Sequence, residues 1–278
     1  MKTCRANASS LVYNSQVLVT GGNSGDSDLS SIEQFSRNAN PFVPPCWSNL
    51  EVNLPRPLRG HYSILYNDRL IVLGSNGDDK DHSYLVYEIQ LHFPFTTKIL
   101  ANLPSSTPIN GCGVVLVNEK ILIFGGCARE IPDPATSTNI ICPGTANVTM
   151  YDITKNEFKK LAPLPYEVCN MATVKFGEHV VLAGGSNNFF LGNIKNTVVN
   201  YDIETQKSTM LPPMKQKRSE CCAVLEGNSL VVMGGESQKN GLKGAPLTSV
   251  EEFDIRSSKW GNLPSMKEAR KAFIAEIV

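Results

Sequence analysis

The sequence carries no excess charge, no long apolar run and few histidines, and each shortage removes a class of function. Lys+Arg and Asp+Glu are both 26 in 278 residues, so the formal net charge is zero. Proteins that bind nucleic acid draw most of their affinity from phosphate neutralisation and show a basic excess or stripe, which is missing here. No segment reaches the roughly 18 consecutive apolar residues that a spanning helix needs. The opening residues, "MKTCRANASSLVYNSQ", hold no apolar stretch of signal-peptide length. No nucleic acid and no membrane are expected as partners, and the expected location is cytoplasmic.

The eight cysteines, at 4, 46, 112, 127, 142, 169, 221 and 222, include no Cys-x-x-Cys pair. Zinc sites want paired ligands at short spacing. The expectation is therefore structural thiols, with Cys112, Cys169, Cys221 and Cys222 at the starts of strands. The four histidines, His61, His82, His92 and His179, are scattered. No Gly-x-Ser-x-Gly, His-Glu-x-x-His, Walker or dinucleotide glycine pattern occurs. The acid-rich stretch "GSNGDDKD" has Ile89 where a calcium loop starting at Asp78 would place glutamate. The sequons at Asn7 and Asn147 read as chance matches in a chain with no secretion signal. No enzyme activity, cofactor or metal is expected.

What the sequence does have is a repeat. Apolar runs end on a glycine pair or its variant at Gly21-Gly22, Gly74-Ser75, Gly125-Gly126, Gly184-Gly185 and Gly234-Gly235, in steps of 53, 51, 59 and 50 residues. About nine residues before each pair lies another apolar segment, such as "SSLVY" or "CCAVL", with a polar turn between. After each pair comes a polar loop and then a strand ending on an aromatic: Phe35, Tyr87, Tyr151, Tyr201 and Phe253. A fourth strand closes on Leu-Pro or Pro-Pro and carries an early aromatic in three repeats, among them Trp47 and Trp260. Four short antiparallel strands form a twisted sheet that cannot bury both faces alone, and radial stacking of such sheets solves this. A period near fifty suits such blades.

The combination of Gly-Gly, Val/Ile-Glu-x-Phe/Tyr-Asp and Trp-x-x-Leu-Pro-x-Met, best preserved in "SVEEFDIRSSKWGNLPSMKEARKAFIA" (249–275), resembles the kelch repeat over essentially the whole chain. It is similar to the repeats of kelch-like proteins, the BTB-kelch substrate adaptors of cullin-based ubiquitin ligases. The resemblance implies an all-β propeller forming a single domain over 1–278. Its blades would lie near 5–55, 59–104, 110–165, 170–213 and 218–264, with 270–278 as the first strand of a sixth blade. Such an incomplete ring would expose strand edges and be marginally stable or self-associating. The function implied is protein–protein interaction, with a cytoskeletal, actin-associated scaffold as the alternative. A cullin complex would be reached only through a BTB domain, and none precedes Arg5.

Binding is expected on loops displayed by the sheets. One set follows the glycine pairs (23–30, 76–83, 127–146, 186–196 and 236–247). The other enters each first strand and holds Arg5, Arg59, Asn110, Asn170, Arg218, Ser219 and Arg270. Arginine forks suit carboxylates, and the resemblance implies that such a rim holds an acidic degron peptide. The competing reading has these arginines supporting the loops by bonding backbone carbonyls. Phe189 and Phe190 are candidate aromatic anchors, the alternative for them being a loop-packing cluster. Tyr151, Tyr201, Phe253, Trp47 and Trp260 are expected to pack, mostly buried, between blades.

Overall fold

A computed structural model describes residues 1–37, 42, 44–75, 84–127, 131–132, 140–189, 193–239 and 242–277. They form two compact units, Met1–Ser105 with Ile274–Val278 and Ser106–Phe273. The first unit holds two blades, each a four-stranded antiparallel sheet in sequence order. Blade 1 is β1 (Ser9–Tyr13), β2 (Gln16–Thr20), β3 (Ser31–Ser36) and β4 (Cys46–Asn53). Blade 2 is β5 (Tyr62–Tyr66), β6 (Arg69–Ser75), β7 (Tyr84–Gln90) and β8 (Thr97–Asn102).

The second unit holds three blades of the same topology. Blade 3 contains β9 (Cys112–Val117) and β10 (Lys120–Gly125); its loop carries a short hairpin, β11 (Ile131–Pro132) and β12 (Ile140–Ile141), before β13 (Val148–Asp152) and β14 (Glu157–Lys160). Blade 4 is β15 (Ala172–Phe176), β16 (His179–Ala183), β17 (Val198–Asp202) and β18 (Ser208–Leu211). Blade 5 is β19 (Cys222–Glu226) and β20 (Ser229–Met233), a loop hairpin of β21 (Glu236–Lys239) and β22 (Leu242–Pro246), then β23 (Val250–Asp254) and β24 (Lys259–Leu263). The fold is the expected one: all-β, with five four-stranded blades of the propeller type.

Strand alternation explains why the second strands read as unbroken apolar runs. Successive side chains of a strand point to opposite faces, and here both faces meet a neighbour. In β16, Val180 and Leu182 join Val115, Leu122 and Phe124 of blade 3, while Val181 and Ala183 join Leu230, Val232 and Phe253 of blade 5. Tyr201 meets Phe124 edge-on at 5.2 Å between ring centroids. In the first unit, Leu11, Leu18 and Ile32 of blade 1 pack with Leu70, Val72 and Ile89 of blade 2. The core of each unit therefore lies between blades.

The glycine pairs sit where one blade meets the segment entering the next. Gly184 has φ +72°, and a Cβ on it would run into the carbonyl oxygen of Arg218; at Gly234, with φ +56°, a Cβ would lie 2.5 Å from the carbonyl oxygen of Arg270. The second glycine then donates its amide to that same carbonyl: Gly185 to Arg218 at 2.8 Å and Gly235 to Arg270 at 2.8 Å. Any side chain would both strain the backbone and push the entering segment away. Repeat two departs from this. β6 continues through Gly74 and Ser75, which pair with Leu85 and Tyr84, and neither adopts positive φ.

Register corrects three expectations. The aromatic of the third strand lies opposite the same point of the second strand in four blades: Val17↔Phe35, Ile121↔Tyr151, Val180↔Tyr201 and Leu230↔Phe253. In blade 2 that place is held by Ile89, opposite Leu70. Tyr87 falls two residues earlier, although it too is buried. Tyr151, Tyr201 and Phe253 are buried as expected, whereas Trp47 and Trp260 are half-buried. Those tryptophans stand on the outermost strands, each beside the third-strand aromatic of its own blade: Phe35 with Trp47 and Phe253 with Trp260, both at 5.1 Å. At the C-terminus, Arg270 makes an isolated bridge to Leu247, and residues 271–277 form no strand.

The glycine contact has a measurable consequence. Gly177→Ala, at a hairpin turn with φ +56° and nothing within 4 Å of the added methyl, should cost about 1–2 kcal/mol from the left-handed backbone alone. Gly184→Ala adds the collision with Arg218 and should cost at least twice as much in urea denaturation.

Candidate functional site

In each blade where the region is described, the residue after the glycine pair meets the segment entering that blade's first strand. Ala6 bridges Asn23, Cys169 bridges Ser186 and Ser219 bridges Glu236, while the Cys127 amide donates to the Asn110 carbonyl at 2.8 Å. The two expected loop sets thus share one face of each blade. Loops of adjacent blades are also joined. Pro143 bridges Asn188, the Phe189 amide donates to Cys142 at 2.9 Å, and the Gly144 amide donates to Asn187 at 2.9 Å.

A second backbone device links the entering segments. Asn7, Gly60, Gly111, Asn170, Glu220 and Ala272 occupy the same place in successive repeats, and all have positive φ. The Gly60 amide donates to the Asn7 carbonyl at 2.8 Å in the first unit. In the second unit Asn170 donates to Gly111 at 2.6 Å, Glu220 to Asn170 at 2.9 Å and Ala272 to Glu220 at 3.0 Å. The chain after blade 5 therefore repeats the inter-blade turn, although residues 273–277 form no strand.

The structure removes Arg5 and Arg218 from the rim. Arg218 is fully buried; its Nη1 donates to the carbonyls of Gly234 (2.9 Å) and Ser249 (2.8 Å), and its Nη2 to Ser249 Oγ (2.9 Å) and Glu251 Oε1 (3.0 Å). Glu251 also accepts the amides of Lys215 (2.7 Å) and Gln216 (3.1 Å). Arg5 makes the same set with Gly21, Ser31 and Glu33, and Glu33 accepts the amides of Lys2 (2.6 Å) and Thr3 (3.0 Å). Burial alone would raise the Glu33 carboxyl; the Lys2 amide, Arg5 and the Thr3 amide outweigh it and hold the pKa below its ordinary value. With every fork occupied and no exposed face, neither arginine can hold a peptide. They fasten the chain entering a blade to that blade's glycine and third strand.

The other sequence candidates separate by register. Ser219 is buried in its bridge to Glu236. Asn170 occupies the left-handed turn, and Gly111 has no room for a methyl because the Asn170 side chain lies against it. Phe189 packs on Cys127, Cys142 and Cys169, so it is a loop-packing ring rather than an exposed anchor. Phe190 lies outside the described residues. Three candidates stay at the surface: Asn110, Arg59 with 63% of its side chain exposed, and Arg270 with 56%. Arg59 is 3.7 Å from Asp28, a loose contact, and Arg270 pairs with Glu268 at 2.8 Å.

His61 is another buried titratable group of the first unit. Its Nε2 is 2.8 Å from Thr20 Oγ1, which is 2.8 Å from Ser63 Oγ. Burial pushes its pKa down to about 4, which suits a neutral core histidine. Sequence reasoning passed over Glu33 and Glu251. The signal was present, since "SIEQF" and "SVEEF" follow Arg5 and Arg218 at similar intervals, but a charged residue in a strand reads as solvent-facing until its partner is placed.

The description "KLHDC2/KLHL20/DRC7 Kelch-repeats domain" matches residues 7–235, and a kelch motif matches 217–267. An F-box/kelch-repeat protein of Arabidopsis thaliana is 30% identical over 120 residues, 43% of this chain and 28% of that protein. Human Kelch-like protein 23 is 31% identical over 122 residues, 42% of this chain and 20% of that protein. The Kelch repeat and BTB domain-containing protein 2 of Cowpox virus (strain Brighton Red) is 22% identical over 206 residues, 69% and 35% of the two chains. These matches span about a third or less of the relatives. The solved structure titled "Structure of YjhT" superposes with a TM-score of 0.79 at 15% identity, covering 97% of this chain and 86% of that one, a likeness of fold.

Two measurements check these assignments. Arg218→Ala strands the Glu251 carboxylate and should cost about 3–5 kcal/mol; Arg218→Leu with Glu251→Val, imitating Val168 and Val199 at the same places in blade 4, should recover most of it. Arg59→Ala should leave the melting temperature almost unchanged. As pH falls from 6.5 towards 4, the unfolded chain takes up a proton at His61 that the folded chain refuses. Stability should fall across that window by up to about 1.4 kcal/mol per pH unit, and His61→Gln should flatten the slope in urea titrations.

Proposed function

The chain belongs to the kelch-repeat family, a family of protein-interaction modules, and we propose that its loop face recognises a protein segment bearing carboxylates. The observation that carries this reading is the joining of loops from adjacent blades through Phe189–Cys142 and Gly144–Asn187. Loops bound to each other and to rigid sheets form a preorganised surface, which lowers the ordering cost of binding. Arg59, exposed and only loosely held by Asp28, is the group we assign to an acidic ligand on the first unit; Asn110 and Arg270, exposed on the second unit, are a separate candidate set. Relatives named for F-box and BTB domains support substrate recognition for a cullin-based ubiquitin ligase. The same reading assigns no catalysis and a cytoplasmic location.

Affinity capture from cell extract with the chain as bait tests the reading. Arg59→Glu should lower recovery of the captured partner more than about tenfold, the value of a lost charge-assisted contact, at an unchanged melting temperature. Phe93→Ser, at the exposed β7–β8 turn, is the control and should recover the partner in full. Cullin subunits in the capture would support the adaptor reading; actin without them would favour a scaffold. Equal recovery with Arg59→Glu and wild type would remove Arg59 from the binding surface.

A further inference from the structure

Three thiols converge beneath the joined loops of blades 3 and 4. Cys127 follows the glycine pair of blade 3, Cys142 lies near the end of the same loop, and Cys169 lies in the segment entering blade 4. They are 2%, 6% and 0% exposed, and Phe189 packs against them. Interaction with the Cys142 and Cys169 thiols, and then burial, holds the Cys127 pKa well above the ordinary thiol value. The Cys169 thiol also donates to the Ser186 carbonyl at 3.4 Å.

We propose that this cluster is a reversible oxidation site, in which a hydroperoxide converts Cys127 and Cys142 to a disulfide. Three features choose the chemistry and the pair. Among the described residues, no group of His, Cys, Asp or Glu is arranged to hold a metal ion. An apolar setting also disfavours several thiolates together, whereas a disulfide is neutral. Cys127 shares one buried cluster with both other thiols, and Cys169 has a further acceptor in Ser186. Cys142 shares a loop with Cys127, since Cys127 bridges Gly144, and it is the most accessible of the three.

The steps balance without another reagent. The Cys142 sulfur attacks the O–O bond of the hydroperoxide, forming Cys142–SOH and releasing an alcohol, or water from hydrogen peroxide. The Cys127 sulfur then attacks the Cys142 sulfur, an S–S bond forms, and the hydroxyl leaves as water with the Cys127 proton. Two thiols are oxidised by two electrons and one peroxide is reduced. Because Cys127 is held as the thiol, the second step is slow, and the site acts as a lock rather than a rapid sensor. The bond joins two positions separated by fourteen residues in sequence, 128–141, and closes a covalent ring between the residue after the blade 3 glycine pair and the residue before Pro143.

Peptide mapping tests this directly. Cys4 and Cys46, which are exposed, are replaced by serine to prevent links between molecules. The protein is treated with hydrogen peroxide, alkylated, digested with trypsin without reductant and weighed. Cleavage after Arg129 places Cys127 and Cys142 on different peptides. The expected product is that pair joined and ~2 Da lighter than the separate thiols, released by dithiothreitol, still formed in Cys169→Ser and lost in Cys142→Ser. A Cys127–Cys169 link, or Cys142 oxidised to sulfinic acid while Cys127 is alkylated normally, overturns the proposal. Should Cys142→Ser not fold, the map of the unsubstituted cluster decides alone.

Discussion

Within each unit, backbone carbonyls pressed against glycines hold one blade to the next. Gly22 donates to Leu58, Gly126 to Val168, Gly185 to Arg218 and Gly235 to Arg270, all at 2.8–2.9 Å. The carbonyls of Leu58, Val168 and Arg218 belong to the segments about to enter the following blades, so there the contact fixes two things together: where the loop leaves its strand, and where the next strand begins. The left-handed residues that follow add a further amide-to-carbonyl bond between successive segments. The close approach leaves no room for a Cβ, which is why the repeat is marked by glycine rather than by any apolar residue.

The space beside that contact is filled in more than one way. In blades 1 and 5 a buried arginine–glutamate pair occupies it, with every donor of the guanidinium directed at an acceptor. In blade 4 the same places hold Val168 and Val199, both in one apolar cluster. In blade 3 Thr149 stands at the glutamate's place and lies 2.9 Å from Thr107. A buried ion pair is not intrinsically more stabilising than the apolar pair. What it adds is orientation, because its bonds reach two backbone carbonyls and two amides that an alkyl side chain would leave to other partners.

This division of labour relocates the function. Arg5 and Arg218 bind the protein's own backbone, and Arg59, Asn110 and Arg270 are the sequence candidates left at the surface. The thiol cluster lies directly under the joined loops of blades 3 and 4.

Much of the fold was legible in the amino-acid order, because its signals are local. The glycine pairs, the two-residue alternation and the Leu-Pro ends each reflect a backbone constraint at a single place in a blade. Blade 2 was misread at Tyr87 because a two-residue shift leaves a strand's faces unchanged and only the hydrogen-bond register distinguishes Tyr87 from Ile89. The site was less legible. An arginine at a strand entrance looks the same in sequence whether it faces solvent or is buried, and the difference lies in a carboxylate 28 residues away for Arg5 and 33 for Arg218. The sequence by itself determined the repeat, the blade and the places where only glycine fits. Tertiary structure alone decided which charges are consumed inside, because burial and ion pairing depend on groups far apart in the chain.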